Sequence, residues 1–180
     1  MAYLSNIALT LLQKLQNIRL IAFDVDGVFS DGRIYMGNAG EELKAFHTLD
    51  GYGIKAIMKQ GVEVAVITGR QSNIVEQRMQ ALGVKHILQG REDKSTALSA
   101  LQATLGVSVA QTASMGDDMP DLGMFTLSAI SISVPNGHPV VKNHADYVTS
   151  AQGGFGAVRE ACDLLLMVHN VLQQTHSASV

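Results

Sequence analysis

The stretch Ile21-Ala22-Phe23-Asp24-Val25-Asp26-Gly27-Val28 decides the fold of this 180-residue chain. Residues 20–23 are apolar and are followed by polar residues and a glycine, which predicts a short buried strand. Strands of this kind belong to α/β sheets, whose ligands bind beyond the carboxyl ends of the strands. We therefore expect Asp24 and Asp26 side by side at the rim of a pocket, although Asp26-Gly27 alone is also typical of an ordinary turn.

The composition is typical of a globular protein without a surface for nucleic acid. Hydrophobic residues make up 47% of the chain, which predicts a single domain over residues 1–180 with a full core. Charged residues make up 16%, the formal net charge is −3 and the basic residues do not cluster, so nucleic acid is not an expected partner. The single cysteine, Cys162, lies in an apolar stretch, which excludes an intrachain disulfide and fits a reducing compartment. We find neither a signal peptide nor an apolar run long enough for a membrane span, and so expect a cytoplasmic protein.

Strand patterns and helix patterns alternate along the chain. Strands are predicted at residues 20–23, 62–67, 84–88, 111–115, 129–134 and 147–148, and helices at residues 4–16, 51–60, 72–82, 94–105, 120–127 and 157–172. Turn-forming residues around Asn38-Ala39-Gly40 predict a small β-hairpin within residues 28–43, called the flap below, and residues 173–180 form a polar tail. The alternation predicts a three-layer α/β/α, Rossmann-like fold with a mostly parallel sheet.

Chemically distinctive side chains follow the predicted strands. They are Asp24-x-Asp26, Thr68, Lys94 and Gly116-Asp117-Asp118. Because the carboxyl ends of parallel strands lie at one edge of a sheet, these groups can converge, and together they offer a nucleophile, a hydroxyl, a cation and an acidic cluster. Phosphoryl transfer needs these parts. Taken singly, Thr68 fits a strand-to-helix turn, Lys94 a solvated helix start, and Gly116-Asp117-Asp118 a turn with a helix N-cap.

The four motifs, in this order, resemble those of the haloacid dehalogenase superfamily of phosphatases over residues 18–172. The resemblance implies that Asp24 is the nucleophile and forms an aspartyl-phosphate. It implies that Asp26 protonates the leaving alcohol and later activates water. Thr68 would bind a phosphoryl oxygen, and Lys94 would stabilise the charge of the pentavalent transition state.

The same resemblance implies a magnesium site. Asp24, the backbone carbonyl of Asp26 and Asp117 would hold Mg²⁺, with Asp118 and Asp121 supporting the site from behind these ligands. A carboxylate attacks a dianionic phosphate poorly unless cations screen the repulsion, so we expect the metal and Lys94 to be needed together.

Superfamily members usually carry a cap domain, but neither interval between the first three motifs has room for one. Asp26 to Thr68 holds only the flap and one helix, and Thr68 to Lys94 holds one helix and one strand. A site without a cap is open to water, which weakens electrostatic stabilisation. We therefore expect neighbouring subunits to close the site in a homotetramer.

A closer resemblance is to the capless, tetrameric 3-deoxy-D-manno-octulosonate 8-phosphate phosphatases of lipopolysaccharide synthesis. It is carried by Phe46-x-x-x-Asp50-Gly51-Tyr52-Gly53, Thr68-Gly69-Arg70, Arg78 and Gly153-Gly154-x-Gly156-Ala157-x-Arg159-Glu160. In that family the flap shapes subunit contacts and the C-terminal tail reaches a neighbouring site. Carried over by position, the substrate-binding residues would be His47, Thr48, Leu49, Asp50, Gly51, Arg70, Arg78, His86 and Lys94. Arg78 taken alone also fits a solvated helix face.

Two departures from the family pattern keep other functions open. Leu49 and Phe155 stand where the family commonly has basic residues, which favours weaker binding of the octulosonate or a related substrate such as a nonulosonate 9-phosphate. A phospho-receiver domain combines similar residues, but there Lys follows both acidic groups, whereas Lys94 precedes Asp117. A noncatalytic regulatory subunit is the remaining alternative, although every catalytic residue is present.

Overall fold

The structure of the chain is a computed structural model that describes residues 9–168. Its helices are α1 (Leu9–Leu15), α2 (Thr48–Lys59), α3 (Asn73–Leu82), α4 (Lys94–Leu105), α5 (Leu122–Phe125), α6 (Pro139–His144) and α7 (Ala157–Val168). Its strands are β1 (Leu20–Phe23), β2 (Tyr35–Met36), β3 (Glu42–Leu43), β4 (Glu63–Ile67), β5 (His86–Leu88), β6 (Thr112–Met115), β7 (Ile130–Ser133) and β8 (Tyr147–Val148). Short 3₁₀ helices lie at Val109–Gln111 and Met119–Asp121.

The predicted first strand is the centre of a six-stranded sheet. The strand order is β5-β4-β1-β6-β7-β8, and every pair of neighbours is parallel. The chain builds the sheet outward from β1 in both directions, so β1 lies where the order reverses. Ligands of open α/β sheets bind at such a point. The topology therefore places the end of β1, and with it Asp24, at the expected site.

Helices cover both faces of the sheet, which explains why β1 is apolar along its whole length. Ile21 and Phe23 point to one face, which is covered by α1, α2, α3 and α7. Leu20 and Ala22 point to the other face, which is covered by α4 and α5. Successive strand residues point to opposite faces, so a strand buried on both must be apolar at every position. The predicted three-layer, mostly parallel fold is confirmed.

Several boundaries differ from the predictions. Helix α2 begins at Thr48 and not at residue 51, because His47 caps it by accepting a hydrogen bond from the Leu49 N–H. The predicted helix over 120–127 is a 3₁₀ turn followed by α5, and α6 was not predicted at all. Helix α6 is short and starts with Pro139, which suits a first helical position. The predictions for residues 4–8, 169–172 and 173–180 lie outside the described residues.

The intervals between the motifs contain no inserted domain. Residues 27–67 form the flap, α2 and β4, and residues 69–93 form α3, β5 and their connections. The flap is the antiparallel pair β2–β3, as predicted from its turn residues. Within residues 9–168, no helix has the length and apolar character that crossing a bilayer requires.

Candidate active site

The predicted catalytic and acidic residues converge at the carboxyl ends of β1, β4 and β6. They line an open pocket of about 480 Å³. Its wall consists of Asp24, Asp26, Gly32, Thr68, Gly69, Arg70, Glu92, Lys94, Asp117, Asp118, Pro120 and Asp121. Thr68 is held at the end of β4 by the loop after β5, since its N–H donates to Leu88 and its carbonyl accepts from Arg91, both at 3.0 Å. The parallel sheet thus gathers groups that are far apart in sequence.

The turn after β1 depends on Gly27. Gly27 has φ +88°, a left-handed conformation that glycine adopts readily. A Cβ at this position would also overlap the carboxylate of Asp117. Gly27 therefore lets the acidic loop after β6 approach the turn that carries Asp24 and Asp26.

Lys94 lies between two buried carboxylates. Its Nζ is 2.8 Å from Asp24 Oδ1 and 2.6 Å from Asp121 Oδ1. Burial lowers the pKa of Lys94, but Asp24 and Asp121 outweigh that effect and the net pKa is raised, so the side chain is a cation. Burial and the nearby Asp121 raise the pKa of Asp24 to about 6, against the lowering effect of Lys94. The site thus carries more negative charge than Lys94 alone compensates.

This uncompensated charge fits a divalent cation. Within the described residues, side-chain oxygens of Asp24, Asp117 and Asp121 lie within 4.8 Å of one another. Burial, with Asp24, Asp121 and Asp118 nearby, raises the pKa of Asp117 to about 8. Asp117 Oδ1 is buried and has no hydrogen-bond partner among the described residues. Clustered carboxylate oxygens suit a hard cation such as Mg²⁺, which would favour their ionised forms.

Asp118 and Asp121 organise the acidic loop around these oxygens. Asp121 Oδ2 accepts the backbone N–H groups of Asp117 at 2.9 Å and Asp118 at 3.0 Å, while its Oδ1 is paired with Lys94. Asp118 Oδ1 accepts the Met119 N–H at 2.8 Å and so caps the 3₁₀ helix. The segment Gly116-Asp117-Asp118 therefore provides both a helix N-cap, through Asp118, and part of an acidic cluster, through Asp117. Both carboxylate oxygens of Asp121 already have partners, which are two backbone N–H groups and Lys94. This geometry favours Asp121 as a support for the metal ligands and not as a metal ligand itself.

The carboxylate of Asp26 faces the flap and contacts a residue that sequence reasoning missed. Lys44 forms an ion pair with Asp26 Oδ1, and Glu42 joins Arg70 in a second pair at 2.7 Å. Glu42 and Lys44 are two residues apart, and alternation along a strand places them on the same face of the flap. The spacing of Glu42 and Lys44 indicates that both side chains lie on one face of the flap. The sequence does not show whether that face meets the pocket.

Several predicted substrate-binding residues are not brought to the pocket. Arg70 and Lys94 line it, whereas His47 caps α2 and Gly51 packs beneath the Arg78 guanidinium. Thr48 and Leu49 form the first turn of α2 beside them.

Asp50 and His86 lie away from the pocket within the single chain. Asp50 is buried and accepts the Arg159 N–H at 2.8 Å, so it caps α7 and does not face the pocket. His86 Nε2 lies 3.1 Å from Glu63 Oε2. Since Glu63 begins β4, this pair lies toward the amino edge of the sheet, opposite the pocket.

Comparisons with known proteins match this geometry. A family model described as haloacid dehalogenase-like hydrolase matches residues 85–160. The 3-deoxy-D-manno-octulosonate 8-phosphate phosphatase KdsC of Escherichia coli K12 is 47% identical over 93% of this chain and 89% of its own length. The crystal structure of the phosphatase of that name from Yersinia pestis has a TM-score of 0.91 at 46% identity, covering 93% of this chain and 90% of that one. The phosphatase from Moraxella catarrhalis, in complex with a magnesium ion, a phosphate ion and KDO, has a TM-score of 0.89 at 44% identity, covering 91% of this chain and 94% of that one.

Proposed function

Because the chain belongs to the haloacid dehalogenase-like 3-deoxy-D-manno-octulosonate 8-phosphate phosphatases, we propose that it hydrolyses that substrate to the free sugar acid and phosphate. It is then a Mg²⁺-dependent phosphoric monoester hydrolase, and its place is in lipopolysaccharide synthesis. One observation carries the activity. The buried Asp24 is paired with Lys94 at the mouth of a pocket where the carboxyl ends of three strands meet.

The reaction follows from the side chains in the pocket. A carboxylate oxygen of Asp24 attacks phosphorus, the bond from phosphorus to the sugar oxygen breaks, and an aspartyl-phosphate forms. Asp26 gives its proton to the leaving oxygen and then accepts a proton from the water that attacks the aspartyl-phosphate. Thr68 holds a phosphoryl oxygen, and Lys94 stabilises the negative charge that develops there. Inorganic phosphate leaves and Asp24 is regenerated.

Asp24, the backbone carbonyl of Asp26 and Asp117 are the residues that would hold Mg²⁺. The unpartnered, buried Oδ1 of Asp117 supports this assignment. When bound, the cation supplies positive charge against the phosphoryl oxygens and keeps the carboxylates ionised.

Two side chains, Leu49 and Phe155, support an alternative substrate. Leu49 and Phe155 are exposed, and they precede Asp50 in the first turn of α2 and Gly156 just before α7. Neither Leu49 nor Phe155 offers the positive charge that would attract a sugar carboxylate at these two positions. A nonulosonate 9-phosphate is therefore the alternative substrate. An ordinary Michaelis constant for the octulosonate phosphate that Leu49→Arg leaves unchanged would count against it.

We propose that the chain acts as a cytoplasmic, single-domain subunit of a homotetramer. The flap exposes Ile34, Tyr35, Met36 and Leu43, with Met36 75% exposed. Exposed apolar side chains concentrated on one hairpin favour an interface with another protein chain. The open pocket beside it would then be closed by a neighbouring subunit, and the buried free Cys162 fits a reducing compartment.

Phosphate release from a panel of sugar phosphates, with and without Mg²⁺, tests the function. We expect the octulosonate 8-phosphate to give the highest kcat/KM and to require Mg²⁺. A higher kcat/KM for the nonulosonate 9-phosphate would assign the alternative substrate. Absence of hydrolysis across the panel would contradict the phosphatase assignment and favour a regulatory protein.

A further inference from the structure

Lys44 is buried although it belongs to an exposed hairpin. Its side chain is only 2% exposed, whereas its neighbour Leu43 is 66% exposed. A lysine ammonium is removed from water only at a large cost unless anions compensate it. Asp26 supplies a direct ion pair and Glu42 a second carboxylate at 4.0 Å. The side chain is therefore held against the pocket by specific partners.

The contacts of Lys44 continue to the loop after β4. Glu42 Oε2 lies 2.7 Å from Arg70 Nη2, and Arg70 follows Thr68 by two residues. Opposite charges therefore alternate along Asp26, Lys44, Glu42 and Arg70. This series joins the turn after β1, the flap and the loop after β4, so the flap is tied to both sides of the site.

Asp26 has little else to fix its carboxylate. Its side chain is 26% exposed, and its other side-chain contact among the described residues is a long hydrogen bond of 3.4 Å from Ser30 Oγ to the oxygen that Lys44 also contacts. A proton donor displaced by about 1 Å can lose about 10²-fold in rate. Orientation of this carboxylate therefore matters for the chemistry.

We propose that Lys44 is a positioning residue, which holds the carboxylate of Asp26 where it can exchange a proton with the leaving oxygen and with water. This inference rests on the proposed function, since it assumes that Asp26 is the proton donor. Glu42 and Arg70 assist by holding Lys44 from the other side. The flap is thereby part of the reaction machinery as well as an exposed surface.

The first test compares Lys44→Met, Lys44→Arg and the control Lys55→Met, which alters an exposed lysine on α2. With the octulosonate 8-phosphate, we expect Lys44→Met to lower kcat/KM about 30-fold, less than the ~10²–10⁴-fold typical of general acid–base catalysis. Lys44→Arg keeps the charge and should recover at least a third of the activity, and Lys55→Met should match wild type. Thermal unfolding of each variant verifies that it is folded.

The leaving group distinguishes positioning from a general loss of structure. p-Nitrophenolate departs without being protonated, so kcat/KM for p-nitrophenyl phosphate should fall less than about 3-fold in Lys44→Met. An equal loss on both substrates would show that Lys44 acts on the fold or on phosphate binding, and would overturn the inference.

A double-mutant cycle with Asp26→Asn completes the test. If Lys44 acts through Asp26, adding Lys44→Met to Asp26→Asn should change kcat/KM by less than about 2-fold. A full 30-fold loss in that background would contradict the inference. Wild-type kinetics for Lys44→Met beside an impaired Asp26→Asn would overturn the inference alone. An inactive wild type, or an unimpaired Asp26→Asn, would overturn the proposed function and the inference with it.

Discussion

At the residue scale, the site is a balance between one buried cation and several buried carboxylates. Lys94 stands between Asp24 and Asp121 at ion-pair distances. Burial, together with the neighbouring carboxylates, raises the pKa of Asp117 to about 8. Phosphate chemistry needs these carboxylates ionised, although burial favours their protonated forms. The arrangement therefore depends on Lys94 and on a divalent cation together.

Lys94→Met is expected to destabilise the protein as well as to inactivate it. Removing one partner of a buried ion pair leaves uncompensated charge and typically costs about 3–5 kcal/mol. We expect the free energy of unfolding, measured with urea in the absence of Mg²⁺, to fall by about 3 kcal/mol. An unchanged free energy of unfolding would contradict the pairing of Lys94 with Asp24 and Asp121.

Comparison of Gly27→Ala with the control Gly40→Ala separates the effect of backbone strain from the effect of disturbing the acidic site. Both glycines have φ +88°, but a Cβ on Gly27 overlaps the Asp117 carboxylate whereas one on Gly40 meets nothing within 4 Å. Both variants should lose about 1 kcal/mol of stability from the backbone. Only Gly27→Ala should lose most of its activity and need more Mg²⁺ for half-maximal phosphate release. Equal effects of the two substitutions on activity would contradict this account of Gly27.

At the element scale, helices α2 and α7 are joined by a contact that links their starts. Asp50 in the first turn of α2 accepts the backbone N–H of Arg159 in α7, and Gly53 one turn later lies against Cys162 and Arg159. A Cβ on Gly53 would come within 3.0 Å of Cys162 Cβ. The glycines of α2 therefore allow close helix packing, at some loss of helix propensity.

Asp50→Asn should change how stability depends on pH. Burial raises the pKa of Asp50 to about 6 from 3.8, against the lowering effects of Arg159 and His47. The folded state then binds the proton on Asp50 more tightly than the unfolded state does. The contribution of this carboxyl to the free energy of unfolding is therefore present at low pH and is lost as the pH rises from about 4 to about 6. Asparagine lacks that dependence. The wild type should therefore gain about 2 kcal/mol relative to Asp50→Asn when urea unfolding is moved from pH 7 to pH 4. A difference that does not vary with pH would contradict the raised pKa.

The elements that could be predicted from sequence are those fixed by local pattern. Strand β1 and helix α4 begin and end where predicted, because a continuous apolar run and helical spacing are properties of neighbouring residues. The predicted start of α2 is three residues late, since Gly51 and Gly53 weaken the helical signal, and what they pack against lies in α3 and α7 respectively. The contact that Asp50 makes is a similar case. Its partner Arg159 is 109 residues away, and no local pattern shows that contact.

At the scale of the whole molecule, the parallel sheet explains why the residues of the site could be predicted from the sequence. It does not fix the flap or the neighbouring subunits, which could not be predicted in the same way. Asp24, Thr68, Lys94 and Asp117 follow directly from the rule that strand ends share an edge. Lys44 enters the site through the flap, whose orientation toward the pocket is set by tertiary contacts. The subunit arrangement is harder still to predict from the sequence, because exposed apolar side chains indicate a contact surface without identifying what covers it.

Met36→Glu tests the proposed tetramer, with Val109→Glu as control. Both residues are exposed and apolar, but Met36 lies on the flap and Val109 on a 3₁₀ helix after α4. A charge in an apolar interface is desolvated without a partner, so Met36→Glu should sediment as a smaller species with reduced activity. Val109→Glu should sediment as the wild type does. A wild-type monomer with full activity would contradict the tetramer.

The most direct test of the central claim is phosphate release from the octulosonate 8-phosphate by the wild type and by Asp24→Asn, each with and without Mg²⁺. We expect rapid, Mg²⁺-dependent release by the wild type and a loss of at least about 10³-fold in Asp24→Asn, because the amide cannot attack phosphorus. Thermal unfolding would verify that the variant is folded. Release by Asp24→Asn at the wild-type rate, or release by the wild type that does not depend on Mg²⁺, would contradict the account.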